Sequence, residues 1–240
     1  LAKIRRESYK GYNKEEIANL RNVLIYIMAF TYKCAIPSHI SIHDGLLHRR
    51  RETDQNLQNT SFVTTNYDMI MDISLKSAPF HFDINYGFDG YDPVNGVKLF
   101  KIHGSFNWIY CRNCKRIEIK FFEKLTTFVF YPGILCDRCG SNYTYMIVPP
   151  TFYKNFTNNF LRKVNRKTEQ VLKTADKIYF CGYSFSDADI HIKYLFKKAE
   201  IYRGDTPEIY RGDTPEIYII NNHITKTEDS QKQEYMKYYR

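Results

Sequence analysis

The sequence has no apolar run approaching the roughly 18 to 20 residues that cross a bilayer. Its longest apolar stretch, Val23 to Phe30, is interrupted by Tyr26 and sits in a helical pattern. No charged-then-apolar leader opens the chain, so the expected compartment is the cytoplasm. Basic residues form no arm longer than Arg49-Arg50-Arg51. Hydrophobic residues at 43% and charged residues at 25% are those of an ordinary globular chain, with room in 240 residues for one substantial core, or for one core and a small module. The net charge of +9 suits an anionic ligand, a nucleic acid or an acidic partner, and chooses among none of them.

Along the chain, a helix is announced at Asn13. That residue caps it, Glu16 stands in the capping-box position, and Ile17, Leu20, Val23, Leu24, Ile27 and Met28 recur as a core-facing stripe. Pro37 ends this region. The polar segment Ser38 to Thr60 reads as short helices and loops whose His39, His43 and His48 are solvated. Ser61 to Thr64 reads as a short buried strand, with Thr65-Asn66-Tyr67-Asp68 at its carboxyl end. Open α/β sheets place ligand contacts at such a point, and the same residues equally make an Asx turn or cap a helix over Met69 to Leu75. Phe80 to Asn95 reads as a loop or hairpin, and Val97 to Ile102 as a strand ending on His103-Gly104. Further on come a strand near Tyr145 to Val148, a basic helix from about Asn158 to Thr174, and a strand Lys177 to Cys181 that breaks at Gly182-Tyr183-Ser184. A helix begins near Ser186, and a last strand, Glu216 to Ile220, ends on Asn221-Asn222 before a polar tail. Ile201 to Glu208 is repeated without change as Ile209 to Glu216, which reads as an in-frame duplication lengthening a surface loop.

The cysteines are few and their spacing is informative. Of 6, four form the pairs Cys111-Arg-Asn-Cys114 and Cys136-Asp-Arg-Cys139. Each such turn presents two thiolates to one ion, so a structural, four-coordinate zinc is expected on Cys111, Cys114, Cys136 and Cys139. Redox thiols and metal-free knuckles are the alternatives. Cys34 and Cys181 stand alone and read as buried.

The order Thr-Thr-Asn-Tyr-Asp (residues 64–68), Lys-Ile-His-Gly-Ser (101–105), the paired cysteines, Gly-Tyr-Ser (182–184) and Ile-Ile-Asn (219–221) resembles the sirtuin (Sir2) superfamily. The texture is closer to bacterial SIR2-like domains of defence proteins than to protein deacetylases. The resemblance implies an α/β fold, a Rossmann-like parallel sheet with helices on both faces and an inserted small zinc-ribbon module. It divides the chain into a first NAD-binding part over 1–109, the zinc-ribbon insertion over 110–144 and a second NAD-binding part over 145–240. By the same resemblance Asn66 stands near the nicotinamide ribose and the catalytic water, and His103 is the catalytic histidine. Thr65 and Asp68 belong to the same cofactor-binding motif as Asn66, Gly182 and Ser184 meet the adenosine half of NAD, and Asn221 holds the adenine ribose.

Two departures shape the expectation. The family's Gly-Ala-Gly loop, which cradles the pyrophosphate, is absent, and the chain is expected to be a fragment lacking its first βα unit. Where deacetylases carry a Phe-Gly-Glu-type peptide-pairing loop, this sequence has Ile147-Val148-Pro149-Pro150-Thr151-Phe152, which points away from peptide deacylation. The expected activity is hydrolysis of NAD to nicotinamide and ADP-ribose in prokaryotic anti-phage defence. A sensor domain outside this chain and assembly as a homo-oligomer are expected with it. The alternatives are an NAD-dependent protein deacylase, or a silent zinc module that binds NAD or ADP-ribose or docks nucleic acid.

Overall fold

The computed structural model describes residues 8–35, 42–77, 79–88, 90, 92–120, 134–148, 158–183, 189–202 and 215–220. The chain forms two compact units, Leu1–Val164 and Asn165–Arg240. Among the described residues, no helix is long and apolar enough to cross a membrane. Ser184, Asn221, the linker between the cysteine knuckles over 121–133, the Pro149–Phe152 segment, most of the tandem repeat and the polar tail lie outside the described residues.

The first unit opens with the strand pair β1 (Ser8–Tyr9) and β2 (Tyr12–Asn13), then α1 (Lys14–Ala35). The capping box forms as expected. Asn13 Oδ1 accepts from the Glu16 amide at 3.0 Å, and Glu16 Oε2 accepts from the Asn13 amide at 2.7 Å. The inward face is not the expected one. Leu20, Val23, Leu24 and Ile27 are exposed, whereas Ile25 is buried with Met28 against Tyr67, Phe106 and Ile147. The helix is apolar almost all round in this stretch, so periodicity alone cannot choose between two faces. Tertiary contacts choose the side of Ile25.

After α2 (Ile42–Arg51) comes a parallel three-stranded sheet in the order β3-β5-β4: β3 (Ser61–Thr64), β5 (Val97–Lys101) and β4 (Ile84–Asn85). The short helix α3 (Ile70–Lys76) follows β3. Val63 is exposed and its strand neighbours Phe62 and Thr64 are half-buried, in contrast to the buried strand expected. The expected loop or hairpin over Phe80 to Asn95 contains β4, which runs parallel to β5, with Ile84 opposite Val97. Asp92 accepts from the Tyr86 amide at 2.8 Å and from the Phe88 amide, turning the chain so that both rings point inward. Tyr86 and Phe88 then pack edge-on against the fully buried Trp108.

An antiparallel sheet in the order β7-β6-β8 follows at once: β6 (Gly104–Cys111), β7 (Arg116–Ile119) and β8 (Tyr143–Ile147). Helix α4 (Asn159–Thr174) begins in the first unit, where Phe160 packs edge-on against Phe88 and Tyr110, and ends in the second.

The second unit pairs β9 (Lys177–Cys181) in parallel with β10 (Glu216–Ile220), and contains α5 (Ile190–Ile201). Leu172, Leu195 and Ala199 form its core with Ile178 and Phe196. Glu169 on α4 bonds Lys198 on α5 at 2.7 Å and Lys173 at 2.8 Å. Burial alone would raise this carboxyl's pKa, but the two ammonium groups outweigh it and hold the carboxyl below its ordinary range. Cys181, expected to be buried, is exposed at the end of β9.

Candidate functional site

Parallel pairing of β3 with β5 sets Thr64 opposite Lys101, so both strands end together. The Thr65–Asp68 loop therefore leaves one strand beside the point where Ile102 and His103 leave the other. The two segments are stitched by the loop's carbonyl oxygens. Thr64 O accepts from the Ile102 amide at 3.2 Å, and Tyr67 O accepts from the Phe106 amide at 3.0 Å. Thr65 O lies 3.2 Å from His103 Nδ1. Asp68 O accepts from the ammonium of Lys101.

His103 is 3% exposed. Its ring lies 6.1 Å from that of Tyr67, and its carbonyl accepts from the Val148 amide at 2.8 Å. Tyr67 closes the same corner, its hydroxyl donating to Val148 O at 2.6 Å. A carbonyl oxygen can only accept, so the contact with Thr65 suits the tautomer that carries its proton on Nδ1. Gly104 turns the chain out of the site with φ +85°, a conformation that favours glycine.

Of the other expected residues in this unit, Thr65 is half-buried and Asn66 is exposed, its amide N–H donating to Thr64 Oγ1 at 3.0 Å. Asp68 accepts from the Ile70 amide at 2.9 Å, closing an Asx turn just before α3. Thr65, Asn66, Asp68 and His103 thus share one strand-end corner. In the second unit, Gly182 takes φ +62° at the end of β9, and its amide donates to Ile220 O at 2.9 Å.

Sequence reasoning missed the group beneath this corner. Lys101 and Asp72 are buried and paired at 2.8 Å, and Asp72 also accepts from the Tyr86 hydroxyl at 2.6 Å. Burial first, and then the Asp72 charge, push the Tyr86 phenol well above its ordinary pKa, so it stays a donor. Ser105, also buried, contacts Asn107 Oδ1 at 2.6 Å and Tyr67 O at 3.3 Å. The one sequence signal was a lysine and a serine flanking the Ile-His-Gly triplet.

The cysteine cluster is built by two similar knuckles. Cys111 ends β6, the Cys114 amide donates to Cys111 Sγ at 3.3 Å, and Lys115 then takes φ 57° as the chain enters β7. In the second, the Gly140 amide donates to Cys136 O at 2.8 Å, and Gly140 takes φ 68°. Leu135 bridges Asn142 across that knuckle, and Tyr143 pairs with Cys111. All four sulfurs come within 4.8 Å of one another, with Cys111 and Cys139 at 3.5 Å and Cys114 and Cys136 at 3.9 Å. A tetrahedral thiolate site with bonds of about 2.3 Å has its sulfurs about 3.8 Å apart, so these four residues can hold a metal ion. The thiols are already unequal. Cys139 is pulled down to about 5, first by the Ser141 hydroxyl and amide and then by Cys114, while Cys114 is pushed up to about 12, chiefly by Cys139.

A family model described as SIR2-like domain matches residues 60–238, which takes in both strand-end motifs and both knuckles. The chain belongs to the SIR2-like family. No curated protein matches it. Among solved structures it is similar to a Sir2 in complex with the inhibitor EX-527, 2'-O-acetyl-ADP-ribose and a deacetylated p53 peptide, at 15% identity and TM-score 0.47, over 89% of this chain and 74% of that one. A Sir2Af2 bound to a myristoylated histone peptide is similar at 12% identity and TM-score 0.47, over 90% and 73%. A Sir2 with p53 peptide and NAD+ is similar at 18% identity and TM-score 0.39, over 78% and 60%. Another Sir2 enzyme is matched over 53% of its own length.

Proposed function

We propose that this SIR2-like chain cleaves NAD+ to nicotinamide and ADP-ribose by hydrolysis. The observation that supports it is the placement of an exposed amide, Asn66, and a buried imidazole whose Nδ1 faces a carbonyl at the ends of two adjacent parallel strands. Cleavage breaks the bond between C1′ of the ribose and the pyridinium nitrogen. The bonding pair goes to that nitrogen, and the ribose passes through an oxocarbenium-like state. Asn66 orients the ribose and the attacking water, which lowers the orientational cost. His103 Nε2 accepts the proton that the water loses as its oxygen bonds to C1′. Gly182, Ser184 and Asn221 are assigned to the adenosine half, and Thr65 and Asp68 to the nicotinamide end. Cys111, Cys114, Cys136 and Cys139 are assigned to a structural zinc, which stabilises the antiparallel sheet and takes no part in the reaction. Action in the cytoplasm, in anti-phage defence, with a sensor domain outside this chain and as a homo-oligomer, completes the reading; the defence role and the sensor domain rest on the resemblance of the sequence motifs to defence-associated SIR2-like domains.

The test is nicotinamide release from NAD+ by the full chain, with and without an acetylated peptide, with zinc content measured on the same preparation. Release without peptide is expected. His103→Ala and Asn66→Ala should each reduce it by roughly 100-fold or more while zinc content and circular dichroism stay unchanged. Release only in the presence of peptide would make the chain a deacylase. No release from a folded, zinc-loaded chain would make it a binding module.

A further inference from the structure

We infer that Lys101, held by Asp72 and Tyr86, is a positioning residue for His103. Its buried ammonium fixes the far end of the Thr65–Asp68 loop, and so fixes the Thr65 carbonyl that selects the imidazole tautomer. The inference rests on the assignment of His103 as the proton acceptor.

Lys101 is 1% exposed and Asp72 is fully buried. Taking both charges out of water is costly, and apolar side chains of similar volume often serve stability as well or better. Packing is therefore a poor reason for a lysine at this point of β5, and what its ammonium touches supplies a better one. One contact is Asp72 Oδ2 at 2.8 Å, and another is the Asp68 carbonyl oxygen. The second oxygen of Asp72 is occupied by the Tyr86 hydroxyl at 2.6 Å, so the carboxylate is braced from the aromatic core and cannot swing away from the lysine. The chain of contacts runs from the core through Tyr86, Asp72 and Lys101 to the loop.

The loop needs such an anchor because its backbone is held unevenly. Thr64 and Tyr67 have amide donors to their carbonyl oxygens, Ile102 and Phe106. Thr65 O faces only the imidazole among the bonds described, and Asp68 O faces the Lys101 ammonium. Rotation of the Thr65–Asn66 peptide would turn the Thr65 carbonyl away from Nδ1 and redirect the Asn66 side chain with it. The Nδ1 proton would then lose its acceptor on Thr65, and the tautomer that leaves a lone pair on Nε2 would lose that support. Lys101 is the last residue of β5, and His103 follows it by two residues in the turn into β6, so the group that sets the loop and the base leave the same strand end.

The experiment compares the full chain with a Lys101→Met/Asp72→Asn double variant, which removes both buried charges together and keeps an acceptor for Tyr86. Long-range proton–nitrogen correlation spectra of the histidines, with the His103 signals assigned by their loss in His103→Ala, report which nitrogen is protonated. The unmodified chain should carry the proton on Nδ1, and the double variant should show a mixture of tautomers. With NAD+ as substrate, kcat should fall by roughly 10–100-fold with KM little changed. Tyr86→Phe, a milder change that leaves both charges in place, should shift the tautomer in the same direction by less. Protonation on Nε2 in the unmodified chain overturns the inference without any variant. An unchanged tautomer in either folded variant overturns it as well, since a purely structural lysine would lower the melting temperature and leave the imidazole alone. Absence of nicotinamide release from the unmodified chain refutes the hydrolase reading, and the tautomer spectra still decide the role of Lys101.

Discussion

Gly104 follows the histidine directly, and a Cβ built there would lie 1.9 Å from the Met146 carbonyl oxygen, with φ at +85°. Gly182 also takes a positive φ, +62°, but a Cβ there meets nothing within 4 Å. The two glycines therefore separate conformational strain from close approach. Gly182→Ala should cost about 1–2 kcal/mol, the strain of a left-handed alanine alone. Gly104→Ala should cost more than that, because β8 must also move, and urea unfolding of the two variants measures the difference. Equal costs would mean that β6 and β8 do not approach closely at the glycine. At this scale placement was legible: the structure sets Asn66 and His103 at one strand-end corner and gathers the four paired cysteines, as their order and spacing suggest. Lys101 was not. A lysine inside a strand reads as solvent-facing, and the groups that draw it inward, Asp72 and the Asp68 carbonyl, belong to other elements. Nor does Lys115 resemble Gly140 as a residue, although both take the left-handed turn that closes a cysteine knuckle.

Elements show where local sequence stops deciding. The tripeptide Glu-Ile-Tyr closes helix α5 as Glu200-Ile201 with Tyr202 as the C-cap, and begins strand β10 as Glu216-Ile217-Tyr218. Identical residues take opposite conformations because the first set extends a helix packed through Leu195 and Ala199, while the second pairs in register with Lys177, Ile178 and Tyr179. Helix α1 makes the same point about faces. Its existence and its cap were plain in the sequence, yet the stripe that periodicity favours is the exposed one. At about 100° per residue, Ile25 points almost opposite to Ile27, and only the cluster of Tyr67, Phe106 and Ile147 reveals which side is inside. Ile25→Ala should accordingly cost about 2–4 kcal/mol, as a buried truncation does. Leu24→Ala should stay within about 0.5 kcal/mol. Thermal melts of the two variants decide between the faces. The reverse order would restore the face that the sequence alone suggests.

The whole molecule carries parallel pairing in both of its compact units, β3-β5-β4 in the first and β9-β10 in the second, with the antiparallel sheet entered directly from β5. An α/β class with a cysteine-bearing module was readable because strands ending on Asn-x-Asp, His-Gly and Gly-x-Ser alternate with helical stretches, and because cysteine spacing survives any change of fold detail. The meaning of the net charge of +9 was not readable, since composition gives a sum and no distribution. The structure supplies part of that distribution. Lys101, Lys120, Lys173, Lys197 and Lys198 all lie within 3 Å of a carboxylate, and Arg50, Lys76, Arg116 and Lys177 have looser acidic partners. Cations already facing carboxylates release fewer counterions when a polyanion approaches, and it is released counterions that drive non-specific binding to DNA. Binding of a labelled duplex, followed by fluorescence anisotropy, should therefore be weak at low salt and lost by about 200 mM. The slope of log affinity against log salt should correspond to only a few phosphates. Tight binding that persists at that salt would show a continuous basic face, and would favour a nucleic-acid-docking role over the hydrolysis of a small anionic dinucleotide.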